Sequence, residues 1–354
     1  MSGFIFCISA LGASTQQPGP APRIVDLKQT GYPQEACKYD RKAQIEFLDS
    51  AHLLVSFPFH SSPCDEQKQI QPQKWRAAVV DTSGKTLHTF DLEPGQLVRA
   101  GPEGHILFLT EKELRILNSD FTAVQTLLWP KEADPSQIPR GTLAAAANIE
   151  LAPSRQGFVI HGPYPKYGVA YFEGNPLKQT AEVDSCSPDL VVADGGFACL
   201  EPSTSGRLVV HLMNDDWHLQ DSLFQKRVWV ALPARNRVLL LTNKFQLYQF
   251  IRPGNKEEVA DLHWLAPGLG YPRTSYALTA DVAHRILVSS WGVRIPLTDS
   301  SGIGYWKRVA VLDYSSGQII FRKQCAIDSD FAISPDGHLL AVLEKSRLSV
   351  VALP

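Results

Sequence analysis

Residues 331–343 read FAISPDGHLLAVL: a short apolar run, the turn Ser334-Pro335-Asp336-Gly337, and a second, more apolar run. Proline presets φ at the turn and glycine tolerates the positive φ that closes it, so the stretch is a β-hairpin with a stated mechanism. Related stretches recur upstream. They are Glu46–Val55 (EFLDSAHLLV), Leu97–Leu109 (LVRAGPEGHILFL), Ile149–Ile160 (IELAPSRQGFVI), Leu190–Cys199 (LVVADGGFAC), Val228–Leu240 (VWVALPARNRVLL) and Ala277–Leu287 (ALTADVAHRIL). Each is an apolar strand, a short turn and a more apolar strand.

A second, more polar hairpin follows each. Ala77–Leu92 (AAVVDTSGKTLHTFDL) and Val309–Arg322 (VAVLDYSSGQIIFR) are the clearest copies, and Leu114–Leu127, Val169–Val183, Leu208–Leu219 and Leu247–Leu262 are looser ones. Few segments sustain apolar spacing at three, four and seven residues, so helices are scarce. Repeated units of four strands at this period predict an all-β fold, a seven-bladed β-propeller of four-stranded antiparallel blades. The apolar segments His105–Thr110, Arg237–Thr242 and His338–Leu343 are expected to be the inner strands. The last unit has three strands, and an open outer edge invites aggregation. Ile24–Leu27, a strand-like run with no blade of its own, is expected to pair with Arg347–Leu353 and close the ring.

The stretch ISPDGHLLAVL resembles the Ser-Pro-Asp-Gly turn of WD40-like repeats of TolB-type and other bacterial propellers. Pro102-Glu103-Gly104 is a partial copy. More loosely, the chain is similar to the YVTN, quinoprotein dehydrogenase-like and lactonase-like propeller superfamily. The resemblance covers the architecture of residues 23–354 and rests on about a dozen residues. It carries over no functional residue, and the Gly-His opening and Trp-Asp ending of true WD40 repeats are missing.

Net charge is −2, and no run of Lys or Arg exceeds two residues. That argues against nucleic acid or an anionic membrane as partner. No apolar stretch reaches the length of a membrane-spanning helix. Phe4–Leu11 is a short apolar run followed by small residues and the Pro-rich stretch to Pro22. Residues 1–22 therefore read as a signal peptide or a disordered leader, although no Lys or Arg precedes the apolar run. A signal implies a periplasmic or secreted protein; without one the protein is cytoplasmic. Residues 23–354 form one domain. Under export, Cys37 and Cys64, and Cys186 and Cys199, are disulfide candidates, with Cys325 left as a buried thiol; the alternative is that all are reduced core cysteines.

In a propeller blade the links between strands one and two and between strands three and four emerge at one end. The remaining links emerge at the other. The long connections Pro58–Lys74, Trp129–Ala147, Gly162–Tyr167, His263–Ser275 and Ser290–Gly304 all belong to the second class, which makes that end the expected binding face. The candidate contact residues are His161, Tyr164, Lys166, Tyr167, His263, Trp264, Tyr271, Arg273, Trp291, Arg294, Trp306 and Arg308. Aromatics beside arginine suit a protein, peptide or saccharide surface. The competing reading is that Trp264, Trp291 and Trp306 pack between blades.

No Gly-x-Ser-x-Gly elbow, HExxH or phosphate-cradling loop occurs. His60, His161 and His263 with Asp65 or Asp299 form the best candidate metal or catalytic group, and Asn214-Asp215-Asp216 reads as a solvated turn. The expectation is a monomeric binding scaffold without cofactor, metal or catalytic residues. The alternative is a propeller enzyme of lactonase or quinoprotein type with its site over the central channel.

Overall fold

A computed structural model describes residues 22–32, 43–59, 74–93, 95–110, 113–128, 148–152, 154–161, 169–183, 190–193, 196–200, 207–212, 215–220, 228–234, 237–242, 245–251, 255–265, 277–280, 284–294, 304–326 and 328–354. The first strand among the described residues is β1 (Arg23–Asp26). Six antiparallel sheets follow, each built from four consecutive strands. The first holds β2 (Gln44–Phe47), β3 (His52–Phe59), β4 (Lys74–Asp81) and β5 (Thr86–Leu92). The second holds β6 (Leu97–Ala100), β7 (Ile106–Leu109), β8 (Glu113–Leu117) and β9 (Ala123–Leu128). The third comprises β10 (Asn148–Leu151), β11 (Gly157–His161), β12 (Val169–Glu173) and β13 (Lys178–Val183). The fourth comprises β14 (Leu190–Ala193), β15 (Gly196–Leu200), β16 (Arg207–Leu212) and β17 (Asp215–Gln220). The fifth contains β18 (Val228–Ala234), β19 (Arg237–Thr242), β20 (Gln246–Ile251) and β21 (Asn255–Asp261). The sixth contains β22 (Ala277–Ala280), β23 (Arg285–Arg294), β24 (Gly304–Asp313) and β25 (Gln318–Cys325). The final strands β26 (Asp330–Ile333), β27 (Leu339–Glu344) and β28 (Arg347–Ala352) form a further sheet, to which β1 adds as the outer strand. Its register places Ile24 opposite Ser349 and Asp26 opposite Arg347.

The six sheets of consecutive strands are blades of a β-propeller. First strands meet one another toward the axis: β2 touches β6 and β26, β14 touches β18, and β22 touches β18 and β26. Apolar side chains fill the spaces between blades. Ile45, Phe57 and Val80 of the first blade meet Val25, Leu343 and Leu348 of the composite sheet. Leu239 and Leu247 meet Ile286 and Leu312 between the fifth and sixth blades.

The most apolar strands are second from the axis, not innermost as the sequence suggests. All of β7 is buried, because a second strand packs against a neighbouring blade on both faces. The innermost strands β2 and β6 alternate instead, whereas β26 is buried from Phe331 to Ile333. In β2, Ile45 and Phe47 are buried while Gln44 and Glu46 are partly exposed; in β6, Val98 and Ala100 are buried while Leu97 and Arg99 are partly exposed.

The turns follow their sequence chemistry. In residues 334–339 the Ser334 hydroxyl donates to Asp336 Oδ1 (2.5 Å) and accepts from Leu339 N (2.8 Å), and Gly337 takes φ 75°. Asp81 Oδ1 accepts from Ser83 N (2.9 Å), Ser83 Oγ (2.6 Å) and Lys85 N (2.9 Å). The Ser83 hydroxyl bond and these amides hold its carboxyl below the usual range. Asp215 and Asp216, expected in a turn, lie in β17 opposite Leu212 and His211; pairing with β16 carries the ladder through them.

Carboxylates also stitch blade to blade. Asp330 on β26 accepts from Ile45 N on β2 (2.8 Å), and Glu46 on β2 accepts from Ala100 N on β6 (2.9 Å). The axis-facing edge of an inner strand has no ladder partner, and these bonds satisfy part of it.

Candidate functional site

The connections leaving the second and fourth strands of each blade share one end of the propeller. They include residues 60–73, 129–147, 262–276 and 295–303, whereas the other end carries short turns such as 48–51, 101–105, 174–177 and 334–338.

At the long-connection end a short 3-10 turn, His263–Leu265, directly follows β21. Leu262 and Leu265 are buried between the fifth and sixth blades and anchor it. Two side chains from the sixth blade clamp its carbonyls: Ser290 Oγ donates to Leu265 O (2.6 Å) and Arg308 Nη1 to Trp264 O (2.7 Å). Trp264 is partly buried. The Arg308 guanidinium lies 5.6 Å from its ring centroid and the exposed Arg322 guanidinium 6.0 Å. Arg308 Nε also donates to Gln324 Oε1 at 3.4 Å. One indole thus meets two guanidinium groups, each such contact supplying about 0.5–1 kcal/mol at an exposed site. His263 is exposed, and its ring pairs with Asp261, which holds the Asp261 carboxyl below its ordinary range.

The structure therefore brings together His263, Trp264 and Arg308 from the sequence list, with Trp264 serving both packing and display. Residues 290–304 are not one loop, as the sequence suggests: β23 runs to Arg294 and β24 starts at Gly304. Trp291 pairs with Lys307, Gly292 with Trp306 and Arg294 with Gly304. Among the described residues β22 pairs no farther than Val288, and β25 no farther than Lys307. Among the described residues, Trp291–Arg294 and Gly304–Trp306 thus form a two-stranded ribbon extending past the blade. Strand alternation at Ser-Ser-Trp-Gly-Val-Arg was the signal for it. His161 ends β11 opposite Asn148, distant in the chain topology from this group. Tyr164, Lys166, Tyr167, Tyr271 and Arg273 lie outside the described residues, as do Cys37, Cys64, Cys186, His60, Asp65, Asp299 and residues 1–21. Cys199 sits on β15 opposite Leu190. Cys325 is buried, and burial pushes its thiol up to about 12, so it is an inert core group. Among the described residues no three His, Cys, Asp or Glu side chains gather as a metal site, and no helix is long and apolar enough to cross a membrane.

Sequence reasoning missed Arg322, because cross-blade stacking on Trp264 has no local signature. It also missed a titratable group where β26 meets β2. Lys307 is buried, donates to Ser329 O (2.6 Å) and lies 5.4 Å from the centroid of Phe331. Burial raises the Asp330 carboxyl above its ordinary range, with Lys307 acting against the rise. Burial, Asp328 and Asp330 push the Tyr32 hydroxyl up to about 12. The sign for Asp330 follows from linkage. Its native carboxyl holds its proton above the unfolded pKa of about 3.9, so the fold binds more protons than the unfolded chain in that window. The associated stability is complete below about pH 4 and is lost as pH rises through the native value. Asp330→Asn keeps an acceptor for Ile45 N and removes the titration. The wild-type advantage over this variant in urea unfolding is expected to shrink as pH rises from about 4 toward 7; a difference flat in pH would contradict the assignment.

No family model matches the chain, and no curated protein matches it. Solved structures do. A chain of the mitotic checkpoint complex aligns with TM-score 0.51 and 10% identity, covering 99% of this chain and 98% of that one. A catalytically inactive virginiamycin B lyase from Staphylococcus aureus, with quinupristin, aligns with TM-score 0.50 and 9% identity over 94% of this chain and 99% of that one. Hsv2 of Kluyvelomyces marxianus aligns with TM-score 0.49 and 11% identity over 87% of this chain and 89% of that one. At such identities the likeness is one of fold: this chain is similar to β-propeller proteins.

Proposed function

We propose that the protein is a monomeric binding scaffold, a seven-bladed propeller whose ring is closed by the pairing of β1 with β28. It holds a protein, peptide or saccharide at the end carrying the long connections. Counting the composite sheet as a blade gives seven, and the contacts of β26 with both β2 and β22 support closure. Residues 1–22 serve as the export leader in this reading, which makes the protein periplasmic or secreted.

The observation that carries the binding assignment is Trp264 with Arg308 and Arg322 at its ring, beside the β23–β24 ribbon. Aromatic and arginine side chains at one place are the composition of energetic hot spots. The test is native mass spectrometry of protein purified from its own host. A second macromolecule bound to the wild type is expected to be lost from Arg322→Glu and Trp264→Ala. A partner retained equally by both variants would move the site elsewhere.

The second reading is a propeller enzyme of the lactonase or quinoprotein type acting over the channel. The group formed by buried Lys307 and partly buried Asp330 and Tyr32 at the long-connection end of the inner strands favours it, since perturbed carboxyls concentrate at reactive sites. One small molecule or metal per chain in the same spectra, with no macromolecule, would select it.

A further inference from the structure

The opposite end of the propeller, where the short turns cluster, carries two arginines, Arg99 and Arg155, whose buried Nε atoms have no acceptor among the described residues. Arg155 occupies the turn between β10 and β11. That turn closes as residues 334–339 do: Arg155 N donates to Ala152 O (2.8 Å) and Ala152 N to Gly157 O (2.9 Å). The counterparts are Gly337 N to Ser334 O (2.8 Å) and Ser334 N to Leu339 O (2.9 Å). Arg155 therefore stands where the other turn has glycine, and it takes φ 57°, a conformation L side chains rarely adopt. From the third blade it reaches the first, where Nη2 donates to Phe47 O (2.6 Å). Its Nε is sealed from solvent with no acceptor among the described residues.

Arg99, on the inner strand of the second blade, adds to this. Its Nη1 is ion-paired with Glu46 Oε1 at 3.6 Å, beyond hydrogen-bond length, and its Nε is likewise without an acceptor among the described residues. The nearby carboxylates are already engaged. Glu46 Oε2 accepts from Ala100 N. Asp49, whose charge also reaches Arg155, accepts from Ala51 N (2.7 Å) and His52 N (2.8 Å) and pairs with the His52 ring. Among the described residues, two guanidinium groups with five N–H donors each thus share the charge of Glu46 and Asp49, and the one carboxylate oxygen there that accepts no hydrogen bond, Glu46 Oε1, is already ion-paired with Arg99. Burial lowers the Arg155 guanidinium to about 10, the mark of a charge short of compensation.

We propose that Arg99 and Arg155 form a binding site for a small free oxyanion, a carboxylate or a phosphate, at the short-turn end of the propeller axis. The planar fork of arginine matches the paired oxygens of either group. Arg99 keeps 20% of its side chain exposed, which leaves the site an entrance, while the sealed Nε of Arg155 favours a small ligand over a macromolecule. The site is separate from the long-connection end, so its failure would leave the scaffold reading untouched.

The test is calorimetric titration of the full chain with inorganic phosphate, and separately with malonate, in chloride-free buffer at constant ionic strength. Saturable binding of one anion per chain is expected. Arg155→Gln and Arg99→Gln are each expected to weaken it about tenfold or more, as loss of a charge-assisted fork does. Because Arg99 makes no hydrogen bond to the described residues, Arg99→Gln is the variant that keeps the fold if Arg155→Gln does not. Glu46→Gln keeps an acceptor for Ala100 N and removes the competing charge, so it is expected to tighten binding, which loss of a merely structural contact would not do. Absence of saturable binding, wild-type affinity in folded Arg99→Gln, or weakened binding in Glu46→Gln would each overturn the site.

Discussion

Deleting residues 1–28 is expected to lower the unfolding free energy by several kcal/mol, while deleting 1–20 leaves it unchanged. The first truncation removes β1 and Leu27, and the second removes neither. Val25 and Leu27 are 1% and 0% exposed and sit among Ile45, Phe57, Leu348 and Val350, in the space between the composite sheet and the first blade. Burying side chains of this size is worth about 1.5–3 kcal/mol each, and the cavity left behind adds to the loss. The deletion also strips β28 of the partner it holds from Arg347 to Val350 and exposes a sheet edge. A total near 4–6 kcal/mol is a large part of the roughly 5–15 kcal/mol that stabilises an ordinary domain. Leu27→Ala isolates the packing share, expected at about 2–5 kcal/mol. Ile24 lies on the same strand, is 50% exposed, and serves as the control; Ile24→Thr should stay within about 0.5 kcal/mol. Urea unfolding at constant m distinguishes these outcomes. Equal stability of the two truncations would remove the basis for ring closure.

The repeat of hairpin, turn and hairpin was legible because it is local. Ser334-Pro335-Asp336-Gly337 and Asp81-Thr82-Ser83-Gly84 specify their turns through hydrogen bonds within a few residues, and strand period two is visible in any short window. The pairing of β1 with β28 was legible for a different reason: a missing fourth strand and a spare run at the other end of the chain left one economical solution. The order of strands within a blade was misread. Apolarity marks the strand packed on both faces, which is the second, whereas Gln44, Glu46 and Arg99 on the innermost strands already carried the alternation of positions beside the axis. The functional groups were least legible. Trp264 with Arg308 and Arg322, Asp330 with Lys307, and Arg155 with Phe47 O are all meetings of different blades. Which side chains meet across blades depends on blade tilt and register, and one sequence encodes neither in a local pattern.

The largest effect of a single methyl group is expected at Gly317, in the turn Tyr314–Gly317 between β24 and β25. Gly317 has φ 73°, and a Cβ added there would collide with the Val259 carbonyl oxygen on β21 of the fifth blade. Two costs combine. The left-handed conformation costs a residue with a Cβ about 1–2 kcal/mol, and forcing an atom into a packed seam typically costs about 1–3 kcal/mol more. Gly317→Ala is therefore expected to destabilise by about 2–5 kcal/mol. Gly84 provides the internal reference. It occupies the corresponding turn of the first blade with φ 104°, but a Cβ there meets Val25 and Ile24 only at 3.6–3.7 Å, ordinary contact distances. Gly84→Ala should show the backbone cost alone, about 1–2 kcal/mol. The obstacle at Gly317 is backbone, which cannot swing aside as a flexible side chain would, so relief requires the fifth and sixth blades to part. The excess loss in Gly317→Ala over Gly84→Ala, read from urea unfolding of both variants, thus measures how rigidly that seam is held. It is the same seam that positions Trp264 beneath Arg308. Equal losses would mean that the two blades yield easily, and the clamp on Trp264 would then be held by its own hydrogen bonds rather than by the packing of the ring.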